Sequence, residues 1–194
     1  AHASWIAGNG AAGQRADLSG VDLSGLNLDG VDLGAAMLKG AVLRNATLVG
    51  ASLAMTDLSL VDARRADISN ADLRGARLER ATLAGAVMEQ VRAGPMPIRG
   101  HSDWPTNLTL ARLATVRLAN AELMQATLRR ADLSQADLTN ADLSGASLRE
   151  AVVTGANLQQ ARLGGADLTD CVGLIGGAAA TASAKVAAGG QRGQ

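Results

Sequence analysis

An all-β solenoid, a chain wound as a rod around a narrow apolar axis, is the fold class this sequence predicts. Three observations predict it. The chain divides into five-residue units over most of its length, and the centre of the unit is nearly always leucine. The side chains that fill irregular cores are missing: there is no Phe, no Tyr and only 2 Trp in 194 residues, although 47% are hydrophobic. Globular cores use aromatic rings to fill uneven gaps, so a chain without them is expected to have a regular interior built from one or two side-chain shapes.

The repeat runs without a slip through residues 16–90 and again through 106–170, giving 28 units. The central residue is Leu in 24 of them, the exceptions being Ala63, Ile68, Met88 and Val153. The first residue is Ala in 21, and the second is Asp or Asn in 14. The last two are mostly small, polar or charged. An α-helix advances about 100° per residue, so a five-residue period would scatter the leucines around every side. A flat strand alternates faces, and an odd period would send successive leucines to opposite sides. Every leucine stays inward only if the backbone turns a corner once per unit. The first and central residues then share the inner face, the Asp between them points out, and the last two positions suit the corner.

Units such as ADLSG at 16–20 and ADLTN at 136–140 resemble the A-(D/N)-L-x-x signature of the pentapeptide-repeat family, and the resemblance extends over about residues 16–175. It implies a right-handed quadrilateral parallel β-helix with four units, or 20 residues, per coil. About eight coils at strand spacing would make a rod of roughly 38 Å. Four leucines per coil would stack on those above and below, with alanines in the tight corners and no lumen for a channel or ligand tunnel. Burying each Leu is worth about 1.5–3 kcal/mol gross, against about 1–2 kcal/mol per residue of backbone ordering. A lone coil is therefore not viable, and stacking makes it so.

Raw solenoid edges invite aggregation, so the ends are expected to be capped. The leader, residues 1–15, reads as an N-terminal cap in which a short helix over Ala3–Ala7 lays Trp5 and Ile6 on the first coil. Its His-x-x-Trp pattern and following Gly-rich turn are similar to leaders that precede the repeats in some bacterial family members. At the other end Cys171, Val172, Leu174 and Ile175 form an apolar cluster, read first as an end cap and second as a dimer contact. The Ala/Gly-rich tail, residues 176–194, reads as a weak capping helix near Ala178–Ala187 or as a flexible linker. The repeat falters at 91–105, where all 3 prolines lie together with His101 and Trp104. Asp103 would fall at an inward position that a leucine core does not tolerate, so a protruding loop is expected at about 94–105. The phase resumes at Thr106, which favours one continuous rod over two rods and a hinge.

The chemistry-bearing residues are few. Gly8, Gly10 and Gly13 match GxGxxG, but no strand precedes and no helix follows, so a turn after the cap is the reading rather than a dinucleotide site. His2 and His101 are the only histidines, too few and too far apart for a metal centre. No nucleophile–base arrangement is suggested; catalytic residues, cofactors and metals are all expected to be none. Asn45 and Asn107 open formal glycosylation sequons, read as chance. Cys171 is the single cysteine, so an internal disulfide is excluded. No signal peptide and no apolar run long enough for a membrane span is visible, and a cytoplasmic protein without membrane or nucleic-acid partners is expected. His101, Asp103 and Trp104 on the loop are the candidate protein contact, since an exposed Trp on an aliphatic rod is a natural anchor; the ordinary alternative is that Trp104 folds back over the coil edge.

Charge separates the function classes. The chain carries 18 basic and 18 acidic residues, so the basic surplus of a nucleic-acid binder is absent. A 20-residue stacking period sets Asp57 beside Arg77, Asp72 beside Arg92, Arg112 beside Asp132, Arg117 beside Asp137 and Asp142 beside Arg162. Glu122 and Asp142 are a like-charged exception. The expected function is a non-enzymatic structural scaffold or protein–protein interaction module, monomeric or an end-to-end homodimer. The resemblance implies an alternative, a DNA mimic acting on a type II topoisomerase such as DNA gyrase, as in quinolone-resistance members with acidic surfaces. Balanced charge and interrupted Asp columns disfavour it. A third reading is the targeting appendage of an enzyme.

Overall fold

A computed structural model describes residues 1–174; Ile175 and the tail, residues 176–194, lie outside the described residues. The chain bends at the fifth residue of each unit. All 28 fifth residues have φ between 54° and 71°, and only ten of them are glycine. The left-handed conformation closes a turn in which the next unit's first N–H donates to the central carbonyl, as from Val21 to Leu18 (3.1 Å) and from Ala46 to Leu43 (3.1 Å). The second residue completes the bend. Each of the fourteen Asp or Asn side chains at this position accepts a hydrogen bond from the backbone N–H two residues on, as Asp22 does from Ser24 (2.9 Å) and Asn27 from Asp29 (2.9 Å). These are Asx turns, and they give the outward Asp of the repeat a structural task that the spacing alone does not reveal.

Left-handed backbone is costly for branched side chains. Among the eighteen non-glycine fifth residues only Thr115 is β-branched. Its substitution by Asn, which tolerates this conformation, is expected to raise stability by about 1 kcal/mol. A melting temperature at or below that of the wild type would show that the corner carries no such penalty.

Stacking is parallel and regular. Met37 pairs with Asp17 and with Asp57, Val42 with Asp22 and with Asp62, always 20 residues apart. Five-residue units in a 20-residue register give four sides. Leu38 N–H donates to the Asp57 carbonyl (2.8 Å), and Asp57 N–H donates back to the Ala36 carbonyl (3.0 Å). Each side contributes one isolated bridge rather than an extended strand, because only about three residues separate one corner from the next. The first face holds unit 16–20 and its register partners, the second 21–25, the third 26–30 and the fourth 31–35.

The interior is a column of leucines and alanines. Leu38, Leu43, Leu48 and Leu53, one coil's worth, are at most 1% exposed, and the neighbouring alanines are fully buried. The first coil differs: Leu18, Leu23 and Leu28 are half-buried, and Val21 (40%) and Leu26 (47%) are exposed. The leader folds as a helix, α1, over His2–Ala7. His2 stacks on Trp5 with ring centroids 5.8 Å apart, and its Nδ1 accepts from the Ala16 N–H (3.1 Å). Trp5 and Ile6 are half-buried, yet the second and third sides of the first coil stay open. A six-residue helix is about 9 Å long, too short to cover a square coil. Gly13 follows the helix, and a Cβ on it would collide with the Ala1 carbonyl and the Trp5 nitrogen; the glycines of this leader make a turn. Among the described residues no helix is long and apolar enough to cross a membrane.

The interruption has a simple cause. Pro95 stands at a fifth position, where every other unit needs positive φ, and its ring holds φ near −65°. The corner cannot close and the chain leaves the coil. Across the excursion the pairing distance rises from 20 to 30, as in Arg77 with Asn107 and Arg92 with Glu122, so ten residues are inserted and the phase is kept. Gly94 still belongs to the coil, its carbonyl accepting from the Gly75 N–H (3.4 Å); the excursion begins later than residue 94.

Candidate functional site

The inserted segment is a short antiparallel hairpin at the corner between the fourth and first faces. Met96 and Trp104 exchange both backbone hydrogen bonds, at 2.7 and 2.8 Å. Its tip is a turn in which the His101 N–H donates to the Ile98 carbonyl (3.1 Å), with Gly100 at φ 75°. His101 and Asp103 are exposed, so the 10-residue insertion places all three candidate contact residues on one outward element.

Trp104 is 46% exposed and leans on the rod at the same time. A Cβ on Gly75 would lie 2.7 Å from Met55 Sδ, 2.8 Å from Met96 Cβ and 3.4 Å from Trp104 Cδ1. The missing side chain of Gly75 is thus the seat on which Met55, Met96 and the indole converge. Sequence reasoning missed Met55, Gly75 and Met96; the 20-residue register that places Met55 one coil before Gly75 was the available signal. Below the hairpin a cleft runs over Arg77, Glu79, Asn107 and Thr127. Glu79 is pinned there, accepting from Asn107 Nδ2 (2.8 Å) and Ser59 Oγ (3.1 Å).

Where the chain rejoins the coil, Thr106 replaces the usual alanine and is fully buried. Its Oγ1 accepts from the Gly75 N–H (3.0 Å), and its proton can go to the carbonyl of Gly94 (2.9 Å) or Leu73 (3.0 Å). One hydroxyl therefore ties together three backbone groups around the break, adding to the Gly75–Gly94 bond (3.4 Å) and to the Ala76 N–H bond on the Leu73 carbonyl (2.9 Å).

At the C-terminal end Cys171 and Leu174 pack against the core, whereas Val172 is 56% exposed. Burial pushes the Cys171 thiol up to about 11, leaving it a weak nucleophile at neutral pH. Gly173 lies over the Thr154 backbone, where a Cβ would collide. Ile175, the fourth residue of this candidate contact, lies outside the described residues.

The charged columns need one correction. All five expected pairs are in bridging register, but only two close as ion pairs: Arg92 with Asp72 (2.9 Å) and Arg162 with Asp142. Arg77 turns to Glu79 and Arg117 to Glu89, and Arg112 has no carboxylate within reach among the described residues. All five Asp residues hold Oδ1 on their own turn, and the two pairs that close do so through Oδ2. The hydroxyl and N–H two residues on hold the carboxyls of Asp17, Asp22 and Asp137 below the usual range. Arg64, with Arg44, holds Asp62 far below it. Among the described residues no three His, Cys, Asp or Glu side chains converge as a metal site.

The family model described as pentapeptide repeats matches the chain in 8 copies, over residues 9–34, 16–54, 27–62, 64–92, 106–145 and 136–172. Among solved structures the chain is similar to full-length QnrB1, a plasmid-mediated fluoroquinolone resistance protein, at 16% identity over 88% of this chain and 92% of that one, with a TM-score of 0.47. It is similar to HetL, involved in heterocyst differentiation regulation in the cyanobacterium Nostoc sp. strain PCC 7120, at 27% identity over 89% and 95% of the two chains, with a TM-score of 0.30. Rfr23 from the cyanobacterium Cyanothece 51142 matches at 25% identity over 81% and 91%, with a TM-score of 0.30. No curated protein matches the chain.

Proposed function

The chain belongs to the pentapeptide-repeat family, and from that premise we propose that it is a non-enzymatic protein-interaction rod of the cytoplasm whose contact element is the hairpin of residues 96–104. The observation that carries this reading is Trp104, 46% exposed on an outward element of an otherwise aliphatic rod. Large aromatic side chains dominate binding energy at protein interfaces, and the methionines beneath this one give its seat the adaptability that suits a recognition surface. His101 and Asp103 flank it with polar groups. The reading takes the coils as right-handed, the usual sense of parallel crossovers, and about eight in number. It takes residues 1–15 as the N-terminal cap and Cys171, Val172, Leu174 and Ile175 as an end cap or dimer contact.

The DNA-mimic alternative requires columns of carboxylates free to imitate phosphates. Here Asp62 is taken up by Arg44 and Arg64, Asp72 by Arg74 and Arg92, and Glu150 by Arg129 and Arg130, which speaks against it. The interaction reading is tested by affinity capture from native lysate with wild-type chain and Trp104→Ala in parallel. A partner retained by the wild type and lost with the variant is the expected result. Identical capture by both removes the hairpin as the contact.

A further inference from the structure

Positive charge gathers on one side of this neutral rod. Between residues 36 and 145 the second face and its two corners carry Arg44, Arg64, Arg65, Arg80, Arg112 and Arg130, all exposed, against Asp62 and Asp132. Two depressions lie on this face. One is bounded by Arg44, Arg64 and Arg65 and floored by Ala84 and Gly85; the other is bounded by Arg80, Arg112 and Arg130 beside Thr82. Small side chains floor the first depression, and Leu60 and Leu110 line the second beside its arginines.

These arginines are neutralised only in part. Asp62 is shared by Arg44 (2.6 Å) and Arg64 (2.8 Å), and Glu150 is shared by Arg130 (2.6 Å) and Arg129 (3.7 Å). Arg65, Arg80 and Arg112 have no carboxylate within ion-pair distance among the described residues. Asp132 lines the second depression, but its Oδ1 is occupied by the Ser134 N–H (3.0 Å) and hydroxyl (2.6 Å). The third face, by contrast, sets Asp29, Asp67, Glu89 and Asp137 against Arg117 alone.

We propose that the second face is a docking groove for an extended acidic segment of a partner protein, a contact separate from the Trp104 hairpin. Unpaired guanidinium groups offer paired donors that match carboxylates. From Arg44 to Arg130 the groove crosses four coil spacings, about 19 Å, the reach of about six extended residues. A side of about three residues is about 10 Å wide, which suits a single strand. A nucleic-acid duplex would overhang it and meet the acidic third face, and no aromatic ring lies on this face for a base to stack on.

The test is fluorescence anisotropy of the full chain with three labelled probes: an oligoglutamate peptide, an oligoglutamine of the same length, and an oligothymidylate of the same charge. The glutamate peptide is expected to bind in a salt-dependent manner, the glutamine peptide not to bind, and the oligothymidylate to bind more weakly. Arg65→Gln/Arg80→Gln/Arg112→Gln together are expected to weaken glutamate binding by about tenfold or more. Arg99→Gln on the hairpin and Trp104→Ala are expected to leave it unchanged, so loss of the hairpin contact and loss of the groove are separately read. Gln already occupies corner positions such as Gln90 and Gln125, and an unchanged melting temperature of the triple variant confirms that the rod is intact. No binding of the glutamate peptide, binding unaffected by the triple substitution, or tighter binding of the oligothymidylate overturns the proposal.

Discussion

Leu133→Arg is expected to abolish the cooperative melting of the rod. Leu133 is fully buried, and its N–H donates to the Val152 carbonyl (2.7 Å), so it sits at the axis with coils on both sides. The substitution forfeits about 1.5–3 kcal/mol of burial and forces into hydrocarbon a guanidinium that cannot shed its charge and finds no acceptor. The sum is comparable to the whole stability of a domain, about 5–15 kcal/mol. A solenoid cannot isolate the damage, because each coil is stable only through its neighbours. Leu73→Arg, at an equally buried position before the insertion, is expected to behave alike. A circular dichroism melt with the wild-type midpoint for either variant would put these leucines outside the core.

The second large effect is expected at Thr106. Thr106→Val keeps the shape and the burial but removes the oxygen. The Gly75 N–H then keeps only its long bond to the Gly94 carbonyl (3.4 Å), and that carbonyl loses its donor at 2.9 Å, deep in the corner from which the hairpin springs. Losing the shorter hydrogen bonds of buried backbone groups costs about 1 kcal/mol each, and the loss falls on the one place where the coil is already interrupted. The contrasting substitution is Ala126→Ser, at the next first-face unit, where the alanine is fully buried in an unbroken coil and no freed group awaits a hydroxyl. A fall in the denaturant midpoint for Thr106→Val, with the slope preserved, is the expected readout; an unchanged midpoint would mean that water, rather than Thr106, satisfies these groups.

The hairpin shows where sequence reasoning stopped. Its existence was legible from three prolines and an intolerable Asp103, and Pro95 in a corner that needs positive φ supplies the reason. Its seat was not legible. Met55, Gly75 and Met96 are far apart in sequence and meet only because coil stacking and the hairpin's lean bring them together. The Asx turns were hidden differently: an Asp pointing outward looks solvated until its Oδ1 is seen to accept from the backbone two residues on. The ion-pair columns were read with the correct register, and two of the five pairs close; Arg77 and Arg117 instead reach the longer Glu79 and Glu89.

By itself the sequence determined the solenoid, because an odd, unbroken period of one aliphatic side chain admits a single way of keeping that side chain from water. The site of interruption follows from the same repetition, while the register of 20 was implied by the family resemblance and is seen in the pairing of the coils. Only the tertiary structure decided which arginines are left without carboxylates, where Trp104 comes to rest and how much of the first coil remains open. Those outcomes depend on side-chain reach across neighbouring coils, a few ångströms of geometry that no one-dimensional spacing encodes.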